Sequence, residues 1–200
     1  MGSRVIGAES IIIFNDKIIL GMQKEKRWYK NENGSVSAII KNIGGQIEEI
    51  DNKSSKNALI RELMEEISNI SSENIEISDV IFNKKIRMKD LNPFDKSSTL
   101  EMQADFYLVN LKNISVLEPN DLPFLVEIPI NEFVNFKMCS KTKINKIVKY
   151  VIKNKKYDVA LPDYYAFFIP DDVIKYLKDN YDSSCIWLWW CYCWYNIKKN

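Results

Sequence analysis

The sequence predicts an α+β domain, because strand-like and helix-like patterns follow one another without a regular βαβ alternation. A hairpin pattern opens the chain, one clear amphipathic helix follows at residues 56–69, and more strand-like stretches come after it. With 200 residues and 46% apolar content, the chain is long enough for a single well-buried core. We therefore expect a mixed β-sheet with additional helices towards the C-terminal end.

The first predicted elements form a β-hairpin. Residues 4–14 and 17–22 are rich in Ile and Val, and the dipeptide at 15–16 suits a two-residue turn. Residues 35–41 are the next strand-like stretch. We expect this strand to end at the glycine pair 44–45, because glycine frees the backbone.

The clearest helix covers residues 56–69 and follows a turn at 51–55 that supplies a serine N-cap. Apolar residues recur in it at i, i+3, i+4 and i+7 spacing, which predicts one buried face. These residues are Ile60, Leu63, Met64 and Ile67.

The later elements are predicted from the same two periodicities. Residues 75–82, 99–111 and 125–130 form predicted strands, and a last helix at 171–180 begins with two aspartates. The core face of the second strand is Leu100, Met102, Ala104, Phe106 and Leu108, opposite Glu101, Gln103, Asp105 and Tyr107. An amphipathic helix is predicted through Ile144, Ile147, Val148 and Val151, with Lys143, Lys146, Lys149 and Lys153 on its outer face.

The composition excludes several classes of chemistry. The chain has no histidine, which rules out Ser-His and Cys-His dyads and histidine-containing zinc sites. The 28 basic and 27 acidic residues give no global field that would select nucleic acid or an anionic membrane. We expect a cytoplasmic protein, because four cysteines form no disulfide framework and neither a secretory signal nor a spanning segment is evident.

Carboxylates remain as the candidate catalytic groups. Glu62, Glu65 and Glu66 stand at i, i+3 and i+4, so their side chains project from one helix face. Three anions so close together repel one another unless a cation neutralises them, and oxygen ligands favour magnesium. Arg61 precedes Glu65 by four residues and can pair with it. A solvated acidic helix face is the common alternative.

The residues around this cluster favour a metal site over a solvated acidic face. The run Gly44-Gly45-Gln46-Ile47-Glu48-Glu49, a turn, and then Ala58-Leu59-Ile60-Arg61-Glu62-Leu63-Met64-Glu65-Glu66 resembles the Nudix box. The resemblance covers residues 4–135 and implies the α/β/α sandwich of that family. Three differences bear on substrate geometry: the loop is two residues longer, Asp51 stands where the first glutamate would fall, and Ser68 replaces a glycine.

The resemblance implies a pyrophosphohydrolase. Glu62, Glu65 and Glu66, helped by the Gly45 carbonyl, would hold one or more Mg²⁺ ions, with Mn²⁺ as an alternative, and Arg61 would orient them. The metal would activate water for in-line attack at phosphorus. The general base stays open between Glu62 and a later residue such as Glu101 or Glu118. Glu101 is also a candidate metal ligand or a merely solvent-facing residue.

The expected substrate is a nucleotide-like diphosphate, a nucleoside diphosphate linked to another moiety. Lys24, Arg27 and Trp28, with Lys26 and Tyr29, could contact phosphates and stack a base, or form only a charged surface loop. Two other functions stay open. One is an RNA 5′-end or cap pyrophosphohydrolase, suggested by the lysine-faced helix, and the other is a non-catalytic nucleotide-binding regulator.

The predicted domain covers residues 1–160, and residues 161–200 form an extension that we expect to pack on it. Four of the five tryptophans and three of the four cysteines, Cys185, Cys191 and Cys193, lie between residues 185 and 194. Such an apolar segment packs on the domain or on a second copy in a homodimer. Our hypothesis is that it is read out of frame, since Gly and Val codons displaced by one base give Trp and Cys codons.

Overall fold

The computed structural model describes residues 5–136 and 138–181. Its strands are β1 (Val5–Phe14), β2 (Lys17–Met22), β3 (Tyr29–Lys30), β4 (Val36–Lys41), β5 (Gly44–Gln46), β6 (Ile75–Arg87), β7 (Glu101–Leu111), β8 (Phe124–Pro129), β9 (Thr142–Lys143), β10 (Val151–Lys153) and β11 (Tyr164–Phe168). Its α-helices are α1 (Ser55–Glu66), α2 (Met88–Leu91), α3 (Ile130–Phe133) and α4 (Asp171–Tyr181). Short 3₁₀ helices lie at Glu25–Arg27, Glu49–Asp51, Ser72–Asn74, Ile144–Lys146 and Val148–Tyr150.

These strands form one mixed sheet. The main path runs β6-β7-β1-β2-β4-β11-β9, and four short strands join its sides. β1 pairs with β7 in parallel and β4 pairs with β11 in parallel, whereas the other pairs are antiparallel. Both faces are covered: α1 contributes Leu59 and Leu63 to one apolar cluster, and α4 contributes Val173 and Leu177 to the other. The predicted α+β class with a mixed sheet between helical layers is confirmed.

The opening hairpin has the predicted two-residue turn. Asn15 and Asp16 have φ angles of 50° and 59°, which match the left-handed conformation of a type I′ turn. The glycine pair at 44–45 differs from the expectation. It does not simply end a strand, because Gly44–Gln46 forms β5 and pairs with Gly7–Glu9 of β1.

Helix α1 is shorter than predicted and buries a narrower face. It ends at Glu66, because Ile67 already pairs with Pro119 in an isolated bridge. Leu63 and Ile67 are fully buried, but Met64 is 42% exposed and Ile60 is half-buried. The prediction that all four apolar residues anchor the helix was therefore wrong for these two.

The predicted lysine-faced helix is absent from the described residues. Two 3₁₀ turns, Ile144–Lys146 and Val148–Tyr150, lie there instead, followed by β10. The apolar spacing at Ile144 and Ile147 suits a 3₁₀ turn as well as an α-helix. Residues 151–153 cannot be helical, because they form β10 and pair with β8.

Strand β11 was not predicted. It places Tyr165 and Phe167 in the core and extends the sheet beyond residue 160. Strand β7 also departs from its predicted alternation. Tyr107, predicted on the polar face, is buried because α1 covers that face of the sheet. Leu100, predicted on the core face, lies just before the strand and is 46% exposed.

No helix within the described ranges is long and apolar enough to cross a membrane. The Trp- and Cys-rich stretch, with its predicted packing, lies outside those ranges.

Candidate functional site

Helix α1 is fixed to the sheet at its first turn. Ser54 caps the helix by accepting a hydrogen bond from the Asn57 amide at 3.2 Å. Ser55 Oγ lies 2.8 Å from Asp105 Oδ2 and 2.6 Å from Tyr107 Oη, both on β7. With Leu59 and Leu63 buried behind it, the helix cannot rotate without breaking these contacts.

A loop around residue 120 fixes the other end of the helix. The amide of Asn120 donates to the carbonyl of Glu66 at 2.8 Å, and the amide of Ser68 donates to Glu118 at 2.9 Å. Asn154, almost fully buried, donates to the carbonyls of Asn120 and Leu122 at 2.6 and 2.9 Å and holds the loop. The loop thereby satisfies carbonyls that a helix end leaves free.

Arg61 connects the loop before the helix to the acidic face. Its Nε and Nη2 donate to the two oxygens of Asp51 at 3.1 and 3.0 Å, a bidentate pair. Nη1 donates to Glu62 at 2.9 Å and to Glu65 at 3.5 Å, and Nη2 also reaches the carbonyl of Gln46 at 3.0 Å. The hydrogen bonds from Arg61 lower the pKa of Asp51 and, in return, Asp51 raises the pKa of Arg61. The expected pairing of Arg61 with Glu65 is present.

The two glycines of β5 let carboxylates approach the strand from both sides. A Cβ on Gly45 would lie 2.2 Å from Glu62 Oε1, so the Glu62 carboxylate occupies the space of a side chain. A Cβ on Gly44 would lie 2.2 Å from the carbonyl oxygen of Ala8 and 3.0 Å from Glu9 Oε2. Any larger residue at 45 would displace Glu62. The Gly45 carbonyl oxygen itself lies close to Gly7 of β1.

Glu66 is the partly buried carboxylate of the helix. Its Oε2 is buried and has no hydrogen-bond partner among the described residues. Burial raises the pKa of Glu66 to about 7, although Lys24 and Lys41 nearby act to lower it. A buried oxygen without a partner is costly, which suggests that a ligand is bound here in the working protein.

Glu9 of β1 was not among the predicted site residues. It is only 8% exposed, and burial raises its pKa, with Lys41 opposing the shift and Glu62 adding to it. Lys41 donates to the carbonyl of Gly44 at 3.1 Å and also interacts electrostatically with Glu66. The sequence signal for this position was a single acidic residue within an otherwise uncharged, Ile-rich strand.

The site offers carboxylate oxygens as metal ligands. They come from Glu62, Glu65 and Glu66 on α1 and from Asp121, with the cations Lys24, Lys41 and Arg61 nearby. Among the residues with described positions, no three acidic or cysteine side chains are close enough together to form a metal cage. The donor type and the unpartnered Glu66 oxygen nevertheless fit a hard divalent cation.

The chain resembles several solved structures of Nudix hydrolases. A NUDIX hydrolase from Nitrosomonas europaea has 12% identity and a TM-score of 0.47, and the match covers 66% of this chain and 76% of that one. The dihydroneopterin triphosphate pyrophosphohydrolase of E. coli has 10% identity and a TM-score of 0.45, with 64% and 83% covered. The Ap4A hydrolase of C. elegans has 14% identity and a TM-score of 0.42, with 73% and 87% covered. No protein-family model and no curated protein matches the sequence.

The acidic residues predicted outside α1 lie in ion pairs. Glu101 contacts Lys85 at 2.5 Å and Arg87 at 3.3 Å, and these cations lower its pKa. Five register positions of β1 and β7 separate Glu101 from Phe106, the residue beside Glu9. Glu118 pairs with Lys155 at 3.3 Å. The structure brings neither carboxylate to the α1 cluster by any contact in the described residues.

The three predicted substrate-binding residues lie in different environments. Lys24 forms an ion pair with Asp121 and interacts electrostatically with Glu66, so it belongs to the site. Arg27 is exposed in the 3₁₀ helix Glu25–Arg27. Trp28 donates to the carbonyl of Gln23 at 2.7 Å and packs against the ring of Phe124. Contact of these three residues with a substrate stays a prediction.

Proposed function

We propose that this protein is a Nudix-type hydrolase that uses Mg²⁺, with Mn²⁺ as an alternative, to cleave a phosphoanhydride bond. The substrate class is a nucleoside diphosphate linked to another moiety, or a related nucleotide. A cytoplasmic location and a homodimer stay predictions.

One observation carries the proposal. The Glu62 carboxylate of α1 lies against Gly45 of β5, and Glu66, one turn further along the helix, has a buried oxygen without a partner among the described residues. Arg61 holds Glu62 from the side while Asp51 holds Arg61. An acidic surface that only faces solvent would need neither the glycine under Glu62 nor the buried Asp51.

The cation would be held by Glu62 and Glu66, with Glu65 as the third carboxylate on the same helix face. Glu65 is exposed and paired with Arg61. When bound, the ion supplies Lewis-acid activation of water and neutralises charge on the phosphate oxygens.

The protein's own residues contribute orientation and charge. Lys24 and Lys41, which flank Glu66, are placed to attract a substrate phosphate. Arg61 restricts the rotamer of Glu62 through a 2.9 Å hydrogen bond. A glutamate near the attacking water accepts its proton, and Glu62 and Glu66 are the candidates inside the cluster.

The RNA 5′-end alternative loses the feature that suggested it. The lysines from 143 to 153 do not share one helix face, because two 3₁₀ turns and β10 replace the predicted helix. No other described feature specifically favours an RNA chain.

The test is hydrolysis of a panel of nucleoside triphosphates, dinucleoside polyphosphates and nucleoside diphosphate sugars, followed by ³¹P NMR. We expect Mg²⁺-dependent cleavage of a phosphoanhydride bond in at least one substrate. EDTA should abolish it, and Glu62→Gln or Glu66→Gln should lower kcat by at least about a hundredfold.

Glu127→Gln is the matched control, since Glu127 is a half-buried carboxylate of β8 that pairs with Lys17 at 2.8 Å, away from α1. Its turnover should equal that of the wild type. Nucleotide binding without any turnover would identify the non-catalytic regulator instead.

A further inference from the structure

Glu9 is a buried carboxylate that the proposed hydrolysis does not use. It is 8% exposed, and among the described residues Lys41 and Glu62 interact with it electrostatically. Burying a carboxylate is expensive, so an acidic residue in such a position often has a function, such as binding a ligand.

Glu9 lies on the opposite side of β5 from the α1 glutamates. Ala8 and Ile12 of β1 pack with α1, whereas Ile11 belongs to the cluster on the other sheet face. Because side chains alternate along a strand, Glu9 shares the face of Ile11. The same division holds at β5, where Glu62 lies against Gly45 and Glu9 against Gly44.

Lys41 links Glu9 to the proposed catalytic cluster. It interacts electrostatically with both Glu9 and Glu66. Lys24 also interacts electrostatically with Glu66, and it forms an ion pair with Asp121. Cations therefore flank Glu66 where phosphates are expected, and one of them, Lys41, also interacts with Glu9.

We propose that Glu9 recognises the organic part of the substrate, accepting hydrogen bonds from a hydroxyl, amino or ring N–H group attached to the phosphates. This inference rests on the proposed function. Lys41 interacts electrostatically with both Glu9 and Glu66, so the organic part would bind next to the phosphates. Glu9 lies on the sheet face opposite α1, and this separates its role from that of the glutamates proposed to hold the metal.

The experiment measures binding by isothermal titration calorimetry in the presence of Mg²⁺. The probes are the α,β-methylene diphosphates of adenosine, guanosine, cytidine and uridine, with methylenediphosphonate as the matched ligand that lacks an organic moiety. We expect the wild type to bind at least one nucleoside probe more than about tenfold tighter than methylenediphosphonate. Glu9→Gln should weaken that nucleoside probe about 10- to 100-fold, the range for a hydrogen bond to a charged group.

Glu9→Gln should change the affinity for methylenediphosphonate and for Mn²⁺ alone far less than the affinity for the nucleoside probe, and Glu127→Gln should match the wild type throughout. Glu9→Asp is the second variant, in case Glu9→Gln does not fold. It retains the charge but shortens the side chain, so it should also lose the preference for the nucleoside probe over methylenediphosphonate.

Three results would overturn the inference: no preference for any nucleoside in the wild type, an unchanged preference in both Glu9 variants, or equal losses for nucleoside, methylenediphosphonate and Mn²⁺. A Glu9-dependent preference in a protein that hydrolyses nothing would instead contradict the proposed function and leave this inference standing.

Discussion

At the residue scale, Glu66 combines burial with opposing charges. Its Oε2 has no partner within the described structure, and Lys24 and Lys41 only partly offset the loss of hydration. The metal-free protein therefore carries a destabilising anion at neutral pH.

This gives a prediction for stability against pH. The pKa of Glu66 rises from 4.5 to about 7 on folding, so between these values the folded chain binds more protons than the unfolded chain. Stability should therefore fall as pH rises through this window, with the penalty complete above about 7.

Glu66→Gln should reduce this loss and give a higher Tm than the wild type at pH 8 without metal. For a chain of this size, each 1 kcal/mol corresponds to about 2–4 °C in Tm. Thermal melts at pH 5 and pH 8 measure the effect, with Glu65→Gln, an exposed position on the same helix, as control. An unchanged pH slope in Glu66→Gln would show that the Glu66 carboxylate is not the group responsible.

Asp51 is the second residue with a specific consequence. It is 3% exposed and binds Arg61 with both oxygens, and Arg61 in turn holds Glu62. Asp51→Asn should lower kcat/KM about 10- to 100-fold, the usual effect of removing a group that orients a metal ligand. Asp51→Glu, which keeps the carboxylate, should retain more activity. Equal kinetics for wild type and Asp51→Asn would show that Asp51 does not position Glu62 through Arg61.

At the scale of elements, β5 and α1 fit together only because residue 45 has no side chain. Gly45→Ala would place its Cβ 2.2 Å from Glu62 Oε1 and force that carboxylate away. A displacement of this size costs about a hundredfold in turnover. In a Glu62→Gln background the same substitution should cost little more, and steady-state kinetics on the four variants test this coupling. Additive losses would mean that Gly45 acts independently of Glu62.

The elements also show which parts of the fold could be predicted from the sequence patterns. The hairpin and α1 were predictable because a turn dipeptide, a serine cap and a repeated apolar spacing coincide there. The region from Ile144 to Val151 was misassigned because its spacing fits two 3₁₀ turns as well as one helix. Strand β11 had a usable signal in its four aromatic residues between 164 and 168, which favour a β-strand.

At the scale of the whole molecule, the sheet extends beyond the predicted boundary at residue 160. β11 pairs with β4, and its Tyr165 and Phe167 are almost fully buried. A chain ending at residue 160 should therefore lose cooperative folding, whereas one ending at residue 181 keeps every described element. Circular dichroism melts compare the two. A cooperative, wild-type-like transition in the shorter chain would contradict this role for β11.

The same scale explains which site residues the sequence could not give. Glu62, Glu65, Glu66 and Arg61 are adjacent in one helix, so a motif finds them. Glu9, Lys41 and Asp121 come from β1, the end of β4 and a loop. Only the folded chain brings Lys41 and Asp121 near Glu66, and Glu9 near Lys41 and Glu62. No short spacing in the sequence predicts that these residues lie close together.

A crystal of the protein soaked in Mn²⁺ tests the central claim most directly through the anomalous signal of the metal. We expect a peak bound by carboxylate oxygens of both Glu62 and Glu66, at the roughly 2.0–2.2 Å typical of small divalent cations with oxygen ligands. The peak should disappear in Glu66→Gln. A fully occupied ion elsewhere, or none at millimolar Mn²⁺, would contradict the account.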